Sequence, residues 1–159
     1  MLTSNQILKA GVAGLIAGII MFIPMMYLVK VAGLAPFNVP PSKALAMTLN
    51  IDVAPFVAPV LHFLYGIAGA IVFAVIFKPD LSVLKALLFS GAMWLILMAV
   101  FAPVIGWGFF GFGDAQALPQ DNPLHLGPAP KFIIATLGFH ILYGVVMGFS
   151  AKKLINFKS

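Results

Sequence analysis

Two histidines recur in the same local setting. The first is His62-Phe63-Leu64-Tyr65-Gly66, followed by Gly69; the second is His140-Ile141-Leu142-Tyr143-Gly144, followed by Gly148. Both read His-x-x-Tyr-Gly, and in a helix positions i, i+3 and i+4 share one face, so imidazole, phenol and glycine point together. A neutral imidazole nitrogen is a metal ligand, and two of them at one level can supply both axial positions of a haem. In that arrangement His62 and His140 bind the iron, Gly66 and Gly144 leave room for the macrocycle, and Tyr65 and Tyr143 reach the propionates of a haem b. Against it, the chain has no Arg to pair with propionates. Copper is a further metal for His62 and His140, with Met21, Met25 and Met98 as soft ligands nearby. The plainer reading is structural: each His bonds a Tyr hydroxyl or a carbonyl freed beside a proline, joining helices within the lipid.

Other chemistry finds little material. Asp52, Asp80, Asp114 and Asp121 fall in loops or at the ends of apolar runs, so no carboxylate pair shares a helix face. There is no Cys, hence no thiolate site and no disulfide. Nucleophile-elbow, zinc-protease and phosphate-loop motifs are absent from the sequence. Ser90 is expected toward the cytoplasmic half, away from the histidines, and His125, in Asn122-Pro123-Leu124-His125, as a solvated loop residue. Enzymatic catalysis is not expected.

The elements that must position the two histidines follow from composition. The chain of 159 residues is 62% hydrophobic and only 8% charged, with a mean hydropathy of +1.11. Soluble domains carry about a quarter charged residues, so this is an integral membrane protein in contact with a lipid bilayer. Its net charge of +5 does not indicate nucleic acid, because the lysines are scattered. Four uncharged stretches run from about Ala10 to Val29, Val53 to Phe77, Ala86 to Gly113 and Phe132 to Ala151. Each reaches the roughly 20 residues that cross ~30 Å of hydrocarbon. Only a helix satisfies its own backbone over such a length in lipid, which predicts an all-α four-helix transmembrane bundle.

Thr3 to Gln6 has capping-box spacing before the first span, and Pro79-Asp80-Leu81-Ser82 reads as a tight turn with Ser82 capping the third helix. A short interfacial helix is expected from Ser42. The loops Ala35 to Asp52 and Gly106 to Lys131 are rich in proline, and the second carries Trp107, Phe109, Phe110 and Phe112 at headgroup level. Lys9, Lys78, Lys85, Lys152, Lys153 and Lys158 fall on one side, and Lys30, Lys43 and Lys131 on the other. The positive-inside rule then puts both termini in the cytoplasm and the long loops outside, in a cell (inner) membrane. Ala32, Gly33 and Ala35 after an apolar run imitate a signal-peptide cleavage site, but the run is too long and contains Pro24, so the first span is expected to be retained.

The repeated motif predicts a single membrane domain, residues 1–159, made of two tandem helical hairpins: one of about 1–78, the other of about 79–159. Lys9-Ala10 corresponds to Lys85-Ala86, and Pro24 approximately to Pro103. Both histidines are then expected ~10–12 Å below the outer face, at 1.5 Å per residue. Pro24, Pro59 and Pro103 loosen the helices at that depth, making the outer half of the bundle the expected place for a cavity. Gly14 and Gly18, like Gly144 and Gly148, have the four-residue spacing of closely packed membrane helices.

Four spans, a His-x-x-Tyr-Gly segment in the second and fourth, and proline-glycine loops together resemble small bacterial membrane proteins of the YagU-like kind. That resemblance implies the four-helix fold over most of the chain and carries over no activity or residue role. Three functions stay open. One is an accessory or structural subunit of a larger membrane complex, such as an electron-transfer assembly, with aromatic outer loops docking on other membrane subunits. The second is a bis-histidine haem-binding electron carrier. The third is a self-associating channel or carrier for a small solute.

Overall fold

The computed structural model describes residues 1–30, 34–51, 54 and 56–155. Asp52, Val53, Ala32, Gly33 and Lys158 lie outside the described residues. Four helices are long and apolar enough to cross a membrane, and the chain is an all-α, multi-pass membrane bundle. Among the described residues there is no strand, only one antiparallel bridge between Phe37 and Leu126.

Local sequence sets the helix ends. Helix α1 spans Ser4–Lys30. It starts on the capping box, where the Gln6 N–H donates to Thr3 Oγ1 (3.2 Å) and the Thr3 N–H to Gln6 Oε1 (2.9 Å). It therefore begins six residues before the apolar run at Ala10. Short helix α2 spans Pro41–Thr48 with proline in its first turn, where a missing N–H costs nothing. Helix α3 spans Val57–Phe77. Helix α4, Val83–Ile96, is capped by Ser82, whose hydroxyl accepts from the Lys85 N–H at 3.3 Å.

The third span does not continue to Gly113. It passes from α4 through one π-helical turn, Leu97–Phe101, into α5, Ala102–Ile105. Pro103 has no N–H for the carbonyl one turn back, and the Ala102 N–H reaches five residues back to Leu97. Gly106 then ends the helix at φ 91°, a left-handed stop. Helix α6 covers Ala129–Leu154, starting earlier than Phe132 because Pro130 fits its first turn.

Packing is closest through small residues. Helix α1 lies against α3 and α6, α4 lies against α6, and α3 barely touches α4 or α6. A Cβ placed on Gly14 would stand 2.5 Å from the Gly66 carbonyl oxygen, and one on Gly144 would stand 2.9 Å from Ser90 Oγ. Such backbone approach is how membrane helices gain dispersion energy without a hydrophobic drive between them. Helices α3 and α4 meet only toward the end that carries the termini, where Phe73 and Phe77 lie against Phe89. Outward-facing Ile23, Leu84, Leu88, Ile134 and Phe149 are exposed, an apolar coat suited to lipid.

At the opposite end the two long loops form a lid. Trp107 is fully buried beside Phe37 and Phe132, and its Nε1 donates to the Leu124 carbonyl at 3.0 Å. Asn38 Nδ2 ties the first loop to the second, donating to Gln120 O (2.7 Å) and Asn122 O (2.8 Å). The Gly127 N–H donates to Pro36 O at 2.7 Å. Gly108 lets the second loop fold back: at φ 75° a Cβ would lie 2.4 Å from Gly113 N. Proline-rich loops commonly run as irregular surface chain. These two instead bury Phe37, Trp107 and Leu126 in a second core, while Phe109 and Phe112 stay exposed.

Candidate functional site

Beneath the lid lies a cavity of about 460 Å³. Each spanning segment contributes a wall: Met21 and Met25 of α1, His62, Tyr65 and Ala68 of α3, Leu97 and Phe101 of the π turn, Thr136 and His140 of α6. Helix α2 is the roof, through Pro41, Ser42 and Leu45. The Ser42 hydroxyl donates to Ala58 O on α3 (3.3 Å), and the Thr48 hydroxyl, which donates to Ala44 O within α2 (3.0 Å), also lies 3.3 Å from Ile105 O on α5. The floor is closed where Met93 Cε packs on Gly69 and where the Tyr143 hydroxyl donates to Gly66 O at 2.5 Å.

The sides are uneven. Leu61, Leu64, Tyr65 and Ala68 follow an i, i+3, i+4, i+7 pattern along α3 and are all exposed as well as lining the cavity. Across from them stand Leu97 and Phe101. With α2 above and the Met93–Gly69 contact below, the space between α3 and the third span is a window onto the hydrocarbon. The π turn frames it, in keeping with the frequent placement of π turns at functional positions.

Hydrogen bonding accounts for most polar groups of the cavity wall. Thr136 Oγ1 donates to Phe132 O (2.7 Å) and accepts from Trp94 Nε1 (3.1 Å). His140 Nδ1 lies 2.8 Å from Thr136 O, one turn back. A carbonyl only accepts, so Nδ1 carries the proton and Nε2 of the neutral ring keeps its lone pair. His62 lies against the Gly18 backbone and beside the Phe22 ring, tilted at 49° (5.3 Å), while its Nε2 is buried with no partner among the described residues. Among the described residues, no charged side chain lines the cavity.

The six residues of the repeated motif separate into two groups. His62, Tyr65 and His140 line the cavity; Tyr143, Gly66 and Gly144 do not. Tyr143 is buried as a strut from α6 to α3, Gly66 packs against Gly14 and the Tyr143 ring, and Gly144 packs against Ser90. The two tyrosines therefore differ: Tyr65 is 42% exposed and makes no hydrogen bond among the described residues, whereas Tyr143 is 2% exposed and bonded. Ser90 is not remote from the histidines, because its hydroxyl donates to the His140 backbone carbonyl. His125 is not free in solvent either; it is half-buried, with Nδ1 2.8 Å from Leu118 O.

Of the soft side chains, Met21 and Met25 line the cavity, whereas Met98 is fully buried in the core beneath the lid. No group of three or more His, Cys, Asp or Glu side chains comes together among the described residues. Thr136 was legible as a site residue, four positions before His140 on the same helix face. Ser42, Leu45, Leu97 and Phe101 were not, because loop folding and the π turn bring them there. Comparison with protein-family models, curated proteins and solved structures finds no match to this chain.

Proposed function

We propose that this membrane protein is a binding protein for a small, uncharged, lipid-soluble molecule, held in the cavity beneath the lid. The carrying observation is that cavity: its about 460 Å³ falls in the usual range for small-molecule sites, about 300–1,000 Å³. Apolar walls with a few convergent polar groups are the usual make-up of such a site. The absence of charge from the walls favours a neutral occupant, since a charged one would be desolvated without a counter-ion. The reading predicts saturable binding of 4-(6-bromohexyl)anisole to protein in phosphatidylcholine nanodiscs, seen as quenching of Trp94 beside Thr136 and Trp107 beside Phe37. Quenching that only rises linearly with probe, as for partition into lipid, removes it.

One observation favours a second reading, haem. Both imidazoles line one cavity, and His140 has Nε2 left to ligate. No basic wall residue is there for the propionates, which places this reading second. A Soret band in protein supplied with haem supports it, and a preparation without one ends it. The channel reading has no such support, because the Tyr143–Gly66 bond and the Met93–Gly69 contact close the cavity below. The accessory-subunit reading rests on loops free to dock: Phe37 and Trp107 are buried in the lid, while Phe109 and Phe112 stay exposed and open to a partner.

The same proposal includes origin and orientation. The spacing that sets Lys9 against Lys85 also sets Gly14 against Ser90, and these two pack on Gly66 and Gly144, the matching glycines of the repeated motif. This supports two duplicated hairpins. Lys9, Lys78, Lys85, Lys152 and Lys153 gather at the end with the termini, supporting a cytoplasmic assignment for that end.

A further inference from the structure

We propose that the cavity fills sideways from the bilayer, through the window between α3 and the third span, with a molecule that bears a hydroxyl group on an apolar body. The inference rests on the binding reading above and names the ligand's chemistry and route. The route follows from the frame of the window. From outside, α2 covers the cavity, hydrogen-bonded to α3 through Ser42 and in contact with α5 through Thr48. From below, Met93, Gly69 and the Tyr143 strut block the way. Among the described lining residues only those of the lateral side, Leu61, Leu64, Tyr65 and Ala68, are exposed, and in a membrane bundle an exposed apolar helix face is the one turned to lipid.

The hydroxyl follows from the polar groups left over. Ser42 and Thr136 already donate to backbone carbonyls, so they offer acceptors only. Among the described residues, His140 Nε2 is an acceptor with no protein donor. Tyr65 offers a hydroxyl that makes no bond among the described residues. In hydrocarbon each unmet polar group is costly. A ligand hydroxyl donates to the His140 acceptor, and the Tyr65 phenol is a second polar group lining the same cavity. An ether or ketone leaves the His140 lone pair unmet, and a hydrocarbon meets neither group. The apolar body lies against Met21, Met25 and Phe101.

The test uses 4-(6-bromohexyl)phenol and its methyl ether, with tryptophan quenching in phosphatidylcholine nanodiscs as readout. A hydrogen bond in an apolar site is worth about 1.4 kcal/mol, or tenfold, at the upper end of its usual range. The phenol should therefore bind about tenfold more tightly than the ether, and His140→Phe should bring their ratio to about one. Equal binding of phenol and ether to the wild-type protein overturns the hydroxyl assignment and leaves the binding reading standing. Failure of both probes to saturate overturns the binding reading itself. For the route, Ala68→Trp fills the window and should slow uptake of both probes at least tenfold, with circular dichroism confirming the fold. Asn38→Ala loosens the lid and should leave uptake unchanged. Faster uptake in Asn38→Ala overturns lateral entry, whether or not Ala68→Trp folds.

Discussion

Replacing Gly14 by alanine probes the contact on which the α1–α3 pair depends. The new Cβ would stand 2.5 Å from the Gly66 carbonyl oxygen, 2.7 Å from Ala70 Cβ and 2.9 Å from Ile67 Cα. Two of these are backbone atoms, and the third is a methyl fixed to the backbone, so no side chain can swing aside. Carbon atoms pack best about 3.5–4.0 Å apart, so α1 must move away by about 1 Å. A gap of that size forfeits a quarter to a half of each contact well along the interface. Added volume in a packed core typically costs about 1–3 kcal/mol, and this site belongs at the upper end. Gly138 is the control, because a Cβ there meets nothing within 4 Å. There Gly→Ala should stabilise by about 0.5–1 kcal/mol, since glycine is the poorer helix former. Reversible unfolding in mixed detergent micelles, with helicity as the signal, measures both. Equal free energies for Gly14→Ala and Gly138→Ala would refute the close approach of α1 and α3, and with it the position of His62 relative to α1.

Three further outcomes follow from the same geometry. Tyr143→Phe removes the strut from α6 to Gly66 and should cost about 1 kcal/mol in the same unfolding assay, the usual scale of an interhelical bond in lipid. Asn38→Ala removes both bonds from the first loop to the second, so the Leu126 and Gly127 amides should exchange hydrogen faster while those in the middle of α6 do not change. Because the chain has no Cys, single cysteines report topology. An impermeant maleimide added to intact cells should label Lys131→Cys and spare Lys152→Cys, and the reverse pattern inverts the proposed orientation.

Sequence by itself determined the helices. Long uncharged runs with no water to satisfy their backbone leave only one secondary structure, so the four spans and the membrane class were legible from composition. Local signals also held where their chemistry is local: the Thr3–Gln6 box, the Ser82 cap and the helix near Ser42 depend on residues within one turn of each other. Tertiary structure decided the rest. The expected run to Gly113 ended at Ile105, because hydropathy does not register the helix-stopping geometry of Pro103 and Gly106. Two identical motifs acquired different fates: Tyr143 meets Gly66 across the α6–α3 interface, whereas Tyr65 faces the window. Nothing in His-x-x-Tyr-Gly distinguishes the copies, since burial is a property of what packs alongside. The lid and the window likewise arise from contacts far apart in the chain, Asn38 with Gln120 and Thr48 with Ile105, which no local periodicity encodes.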